Sequence, residues 1–206
     1  MHKEHCKTDW PYSDSSAPEA VNGEKDACGV GFLANIHGIE SNWILKQALR
    51  GLMCMEHRGG CGGDSDSGDG AGILCSIPWS YLNNVWEAAA NQNKQLTGLG
   101  MLFLPQEKDK QIKAKEISEE CAKSLGLKSI SWRNVPVDQS VLGVLARENV
   151  PCIVQWLVEG NKQDSELESL LFRLKQLISK RSKEVFKDSF SDFYFASLSN
   201  KTVVYK

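Results

Sequence analysis

The chain has 206 residues, 41% of them hydrophobic, and a formal net charge of −2. This is enough for one compact domain with its own core, and the charge balance provides no basic field for nucleic acid or for an anionic membrane. No apolar run reaches the ~18–20 residues of a membrane span, and seven scattered cysteines favour reduced thiols in a cytoplasmic compartment over a disulfide framework.

Residues 1–27 are polar and show no apolar periodicity. Their serines, prolines and charges are typical of a disordered segment, and they lack the apolar core of a secretory signal. From composition alone they are either an ordinary flexible terminus or a propeptide that is removed between Ala27 and Cys28.

After Cys28, apolar periodicity continues to the end of the chain and predicts alternating strands and helices. Ser41 is placed to cap the first helix, and Ile112, Ile117 and Cys121 are predicted to face the core from a later one. The predicted elements are a strand at 29–37, helix at 42–56, strand at 71–77, helix after Pro78, strand at 98–104, helix at 106–125, strand at 128–137, short helix at 141–146, strand at 151–158, helix at 165–185 and hairpin at 193–205. This order indicates an α/β or α+β fold with mixed strands.

The abrupt start of the pattern at Cys28 draws attention to that residue. If residues 1–27 are removed, Cys28 carries both a thiol and a free α-amino group. An α-amino group titrates near ~7.7–8.0 and a thiol near ~8.5, so the amine can accept the thiol proton at neutral pH. A nucleophile and its base would then lie on a single residue.

Residues 59–72 are rich in glycine and aspartate and predict a tight loop with exposed backbone N–H groups. The order of acids and glycines does not fit a calcium-binding loop, and the Gly-Lys-Ser/Thr and Gly-x-Gly-x-x-Gly patterns of nucleotide sites are missing. Cys54, His57, Cys61 and Cys75 lack the paired spacing of a zinc site, so no metal is expected. The loop is therefore interpreted as a support for Arg58 and for the cysteine.

Three motifs occur in order: Cys28-Gly-Val-Gly-Phe, Cys54-Met-Glu-His-Arg-Gly-Gly-Cys-Gly and Asp66-Ser-Gly-Asp-Gly-Ala-Gly-Ile. Together they resemble the glutamine amidotransferase domain of the N-terminal-nucleophile class that begins the large subunit of glutamate synthases. The resemblance runs from Cys28 to about Lys206 and implies an α+β fold, the four-layer αββα sandwich of N-terminal-nucleophile hydrolases. It also implies that the family's domain continues beyond residue 206.

The resemblance implies a site for hydrolysis of L-glutamine to glutamate and ammonia. Cys28 would be the catalytic nucleophile, released by cleavage after Ala27. Arg58 and Gly59 would bind substrate or order the new N-terminus, and Asp69 would support the loop. Arg58 could instead cap the preceding helix at its C-terminus, and His57 is interpreted as structural because Cys28 already carries a base.

Partners implied by the resemblance are the remaining glutamate synthase domains and their electron donor, with neither nucleic acid nor membrane. The FMN and iron–sulfur sites of the longer family members have no counterpart in this chain, and the compartment would be the cytoplasm, or the plastid stroma in a photosynthetic eukaryote. The resemblance implies that the family's Asn-Gly oxyanion pair lies beyond residue 206. Asn22-Gly23-Glu24 has the same letters but precedes Cys28, so it is interpreted as a coincidence. Three functions stay open: a glutaminase, an amidohydrolase with another substrate, and a non-catalytic remnant or interaction module.

Overall fold

The computed structural model describes residues 29–55, 67–68, 70–187 and 193–206. Its elements are α1 (Asn42–Cys54), β1 (Ile73–Ser76), α2 (Trp79–Val85), α3 (Glu87–Ala90), β2 (Thr97–Leu104), α4 (Lys108–Ser124), β3 (Lys128–Asn134), α5 (Val144–Glu148), β4 (Cys152–Glu159), α6 (Asp164–Phe186), β5 (Tyr194–Ser199) and β6 (Thr202–Tyr205). A turn of 3-10 helix at Gln139–Val141 precedes α5. The α+β fold class is confirmed.

The larger sheet has four strands in the order β3-β4-β2-β5, and all of its pairings are antiparallel. Strand β2 lies in the interior, paired with β4 from Thr97 opposite Glu159 to Leu104 opposite Cys152. Apart from the short α5 between β3 and β4, the chain order is β2-α4-β3-β4-α6-β5, which makes this unit a split β-α-β arrangement. Helices α4 and α6 contribute their buried residues to the same apolar cluster on one face of the sheet.

Helix α6 is held to the sheet by an apolar stripe at helical spacing. Leu167, Leu171, Leu174 and Ile178 are all fully buried. On the same face Trp156 is fully buried and stacks on the Trp132 ring, with centroids 4.8 Å apart. Helix α4 ends close to the predicted residue 125, and Gly126 beyond it has a φ of +72°, a conformation that favours glycine.

The second face of the larger sheet is also covered. Leu99 and Met101 from β2 and Leu157 from β4 pack against residues of α2, α3 and β6 in a separate cluster. Strand β6 pairs antiparallel with β1 in a two-stranded sheet. The backbone N–H of Ile77 donates to the Lys201 carbonyl at 3.1 Å, which extends the attachment beyond the strands.

Two predicted strand arrangements are wrong. Residues 29–37 form no strand, and Val30 and Phe32 are 95% and 94% exposed. A strand needs a neighbour for its backbone groups, and no strand of the described ranges pairs with this segment. The predicted hairpin at 193–205 does not pair with itself: β5 joins the larger sheet and β6 joins β1.

Three predictions of helix packing also need correction. The predicted helix 42–56 exists, but α1 buries none of its residues completely. Ile112 is 58% exposed, whereas Ile117 and Cys121 face the core as predicted. The helix after Pro78 is interrupted at Trp86, whose φ and ψ of −145° and 98° are extended. No helix within the described part of the chain is long and apolar enough to cross a membrane.

Replacing Leu171 by alanine should lower the free energy of unfolding by about 2–5 kcal/mol, because a fully buried leucine leaves a cavity. The matched control is Phe172→Ala on the next residue of α6, which is 61% exposed and should change stability by about 0.5 kcal/mol or less. Urea denaturation of the two variants measures both values. Equal losses in the two variants would contradict the assignment of this face of α6 to the core.

Stability should fall above about pH 8.5, in part because of Cys121. Burial raises the pKa of the Cys121 thiol above its usual value, so at alkaline pH the unfolded chain loses this proton before the folded chain does. The contribution of the Cys121 thiol to the free energy of unfolding is complete below its pKa in the unfolded chain. It is lost as the pH rises through its pKa in the folded chain.

Melting temperatures from pH 7 to pH 10 test this. Cys121→Ala should be less stable than the parent at pH 7, because it removes a buried side chain, yet lose less on going to pH 10. The control, Phe172→Ala, changes an exposed residue that does not titrate and should keep the parental pH dependence. Parallel curves for all three proteins would contradict the prediction.

Candidate active site

The residues predicted to carry the chemistry are Ala27, Cys28, Arg58, Gly59 and Asp69, and all of them lie outside the described residues. Their roles and their mutual distances therefore remain predictions. The structure describes the pieces of chain that flank them. These pieces are the segment that starts at Gly29, the end of α1, and the stretch that leads from Ser67 into β1.

Helix α1 leads the chain towards the His57-Arg58-Gly59 motif. Its start is confirmed, since the Ser41 side-chain oxygen accepts hydrogen bonds from the backbone N–H groups of Trp43 and Ile44 at 3.1 and 3.4 Å. Such a cap supplies an acceptor for N–H groups that the first turn leaves unpaired. Helix α1 contacts β1 and ends at Cys54, so the motif follows within a few residues.

Ser67, in the second half of the glycine- and aspartate-rich segment, is held in place by a hydrogen bond. It is only 8% exposed, and its side-chain oxygen accepts a hydrogen bond from the backbone N–H of Ala146 at 3.1 Å. Ala146 is the third residue of α5, where backbone N–H groups have no acceptor within the helix. Ser67 thus caps a helix that is distant in sequence and ties its own segment to it.

Gly72 provides a second fixed point, immediately before β1. A Cβ atom at this position would lie 2.9 Å from the carbonyl oxygen of Tyr205 and 3.4 Å from the Cα of Lys206. Only glycine allows the two backbones to approach so closely. The next residue, Ile73, is the partner of Tyr205 in the β1–β6 ladder, so the segment enters β1 in a single register.

A polar contact within the larger sheet joins β3 to the buried Gln155 of β4. Arg133 on β3 donates from Nη1 to the Gln155 Oε1 at 2.7 Å. Gln155 is 1% exposed. Burial raises the pKa of Tyr205, and the nearby Cys75 thiol raises it further. Burial, followed by the carboxylate of Glu40, likewise raises the pKa of Cys75.

Sequence reasoning missed Gln155. The signal was present, because Gln155 is the one uncharged polar residue within the apolar run of β4, Cys-Ile-Val-Gln-Trp-Leu-Val-Glu. A buried amide must find a hydrogen-bond partner, and Arg133 is 22 positions away from Gln155 in sequence.

The described residues do not favour a metal or cluster site. Among them, no group of three or more His, Cys, Asp or Glu side chains is arranged to hold a metal ion. An iron–sulfur cluster needs several converging thiolates, whereas the described cysteines are distributed over α1, β1, α4 and β4. These residues do not fit an iron–sulfur cluster, and no step of the chemistry is assigned to one.

The chain is similar to large enzymes of known activity. It is 44% identical over 194 residues to ferredoxin-dependent glutamate synthase 1, chloroplastic/mitochondrial, of Arabidopsis thaliana, which covers 91% of this chain and 12% of that protein. It is 43% identical over 189 residues to ferredoxin-dependent glutamate synthase 2 of Synechocystis, covering 89% and 12%. It is 42% identical over 200 residues to ferredoxin-dependent glutamate synthase of Pyropia yezoensis, covering 94% and 13%.

The chain thus spans about an eighth of the length of the curated relatives that it matches. The family model of class-II glutamine amidotransferases matches residues 28–206, starting at the cysteine that the motifs single out. The resemblance found in the three motifs is confirmed, and the chain belongs to the class-II glutamine amidotransferase family.

Proposed function

We propose that this chain is the glutamine-hydrolysing portion of a glutamate synthase and that Cys28 is its nucleophile. The observation that carries the proposal is the match to the amidotransferase family, which starts at Cys28 and includes the three ordered motifs. The similarity to ferredoxin-dependent glutamate synthases supports L-glutamine as the substrate and glutamate biosynthesis as the destination of the ammonia.

In the proposed reaction the Cys28 sulfur attacks the carbon of the glutamine side-chain amide. The α-amino group, exposed by cleavage after Ala27, takes the thiol proton and delivers it to the amide nitrogen as the carbon–nitrogen bond breaks. Ammonia leaves, and a γ-glutamyl thioester remains on Cys28. Water then attacks the thioester carbon, the thiolate departs with its proton restored, and glutamate is released.

The other motif residues are assigned to substrate and loop. Arg58 and Gly59 would bind glutamine or order the new N-terminus, because a guanidinium is suited to bidentate pairing with a carboxylate. Asp69 would order the loop. The contacts of Ser67 with Ala146 and of Gly72 with Tyr205 support this assignment, because they hold the chain on either side of Asp69.

We further propose that the chain adopts the αββα arrangement of N-terminal-nucleophile hydrolases. Helices α4 and α6 on one face of the larger sheet, and the β1–β6 sheet with the contacting α1 on the other side, support it. In the proposed enzyme, FMN and an iron–sulfur cluster belong to the other glutamate synthase domains, which receive the ammonia and contact the electron donor. The proposed compartment is the cytoplasm, or the plastid stroma in a photosynthetic eukaryote.

A second candidate, a non-catalytic interaction module, is favoured by one observation. Large apolar side chains of the 29–55 segment, including Val30, Phe32, Ile36 and Met53, are 75% or more exposed. Large exposed apolar side chains concentrated in one segment offer a surface that another polypeptide can cover.

Labelling with 6-diazo-5-oxo-norleucine, an electrophilic glutamine analogue, tests the nucleophile. The processed wild-type chain should gain one adduct, mapped to Cys28 by peptide mass spectrometry, and Cys28→Ser should gain none and lose glutaminase activity by about 10³-fold or more. Cys54→Ser, a control at an exposed thiol, should be labelled like the parent. Labelling of other thiols with Cys28 untouched would contradict the proposal.

The intact mass of the chain purified from its source tests the processing step. The expected mass corresponds to loss of residues 1–27, which leaves Cys28 with a free α-amino group. A chain that retains these residues and does not react at Cys28 would favour the interaction module over the glutaminase.

A further inference from the structure

We propose that Glu168, Ser197 and Ser199 are the residues that assign strand β6 to the two-stranded sheet. Their side chains bind backbone N–H groups that a hairpin between β5 and β6 would use for its own pairing. Strand β6 is thereby separated from β5 and pairs with β1. This conformational role is independent of the proposed glutaminase activity.

The connection between β5 and β6 is short enough for a tight hairpin. Strand β5 ends at Ser199 and β6 begins at Thr202, so two residues separate the strands. Two-residue connections are the commonest ones in antiparallel hairpins. In the structure, however, β5 pairs with β2, and β6 pairs with β1. The length of the turn favours one pairing and the structure has another, so some other interaction must decide between them.

Ser197 and Ser199 supply acceptors where a hairpin would use the carbonyl groups of β5. The Ser197 Oγ accepts a hydrogen bond from the backbone N–H of Val204 at 3.0 Å. The Ser199 Oγ accepts from the N–H groups of Thr202 at 3.2 Å and Lys201 at 3.0 Å. Alternate residues of a strand face the same side, so the spacing of the two serines matches that of the N–H groups of residues 202 and 204. Both serines are buried, and they satisfy N–H groups that need an acceptor.

Glu168 of α6 holds the turn between the two strands. Its Oε2 accepts hydrogen bonds from the backbone N–H of Asn200 at 3.0 Å and from the hydroxyl of Ser199 at 3.1 Å. The Asn200 side chain donates in addition to the Asp164 carbonyl at 3.3 Å. The common two-residue hairpin turns need a positive φ at their first central residue, and Asn200 has no positive φ. Held in this way, the turn does not have the conformation of a tight hairpin.

The same contacts connect β6 to the larger sheet through α6. Helix α6 packs on that sheet with a fully buried stripe, and hydrogen bonds to a carboxylate are stronger than those between neutral groups. If these acceptors were removed, the N–H groups of β6 would be left unsatisfied. Strand β5 is the last strand of the larger sheet, so its outer edge offers main-chain carbonyls as replacements. Pairing of β6 with that edge would leave β1 without its partner.

The test compares four proteins, all made in the full chain, with the parent. The double variant Ser197→Ala/Ser199→Ala removes both serine acceptors, Glu168→Ala removes the carboxylate, and Glu168→Gln keeps an oxygen that can accept the same hydrogen bonds. The matched control is Ser169→Ala, on the next residue of α6, whose hydroxyl donates to the Ser165 carbonyl within its own helix at 2.8 Å.

Two readouts follow the pairing of β6. The first is hydrogen exchange of β1, Ile73–Ser76, with β2 as the internal reference for global unfolding. The second is the nuclear Overhauser effect between the backbones of Cys75 and Val203, which are partners in the β1–β6 ladder.

In the double serine variant and in Glu168→Ala, exchange of β1 should rise by about tenfold, since buried N–H groups lose their acceptors. The Cys75–Val203 effect should weaken, while exchange of β2 stays unchanged. Glu168→Gln should stay within about threefold of the parent, and Ser169→Ala should show no change. If the double variant does not fold, Ser197→Ala alone takes its place, with loss of protection expected at the Val204 N–H.

Unchanged exchange of β1 in the serine variant would overturn the proposal. An equal rise in β1 and β2 would overturn it as well, because the serines would then support the whole fold without selecting the partner of β6. A rise in Ser169→Ala as large as that in Glu168→Ala would contradict the role of the carboxylate.

Discussion

The structure depends on the burial of both faces of β2 and β4. Every residue of β2 is buried, and its side chains alternate between the two apolar clusters, as those of a strand must. The helices and the small sheet are attached to this pair of strands on opposite sides. Close approach is required on the helix side, where a Cβ at Gly98 would lie 2.5 Å from a methyl group of Leu171. A polar side chain buried in these strands therefore needs a hydrogen-bond partner within the protein. Gln155 has such a partner in Arg133.

Much of the fold was accessible from the sequence because local signals and burial agree. The stripe of α6, the apolar run of β2, the Ser41 cap and the Gly126 stop are each local, and each is confirmed. The failures are non-local. Alternating apolar residues at 29–37 form a strand only if a neighbouring strand is available to pair with them. A predicted hairpin at 193–205 likewise does not determine whether its two strands pair with each other or, as observed, with β2 and β1.

The candidate site shows the same difference between local features, which the sequence predicts, and non-local features, which it does not. The motifs single out Cys28, Arg58, Gly59 and Asp69 because their spacing is characteristic, and the family match agrees with the motifs. The supports that the structure describes around them could not be read from spacing. Ser67 and Ala146 are 79 positions apart, and the hydrogen bond between Arg133 and Gln155 depends on strand order. The predicted catalytic residues can be found from motifs in the local sequence. The residues that hold the neighbouring chain in place can be found only when the topology is known.

The pairing of β1 with β6 also has a consequence for the order of events during synthesis. Strand β1 belongs to the first part of the described chain, yet its partner comprises residues 202–205. On the ribosome β1 has no strand partner until all four strands of the larger sheet have been synthesised, because β5 ends at Ser199 and β6 begins at Thr202. Contacts of such long sequence separation form late, and unpaired strand edges invite association with other chains. Among the described strands, β1 is thus the one that is synthesised longest before its partner, and its unpaired edge is open to misassembly during that interval.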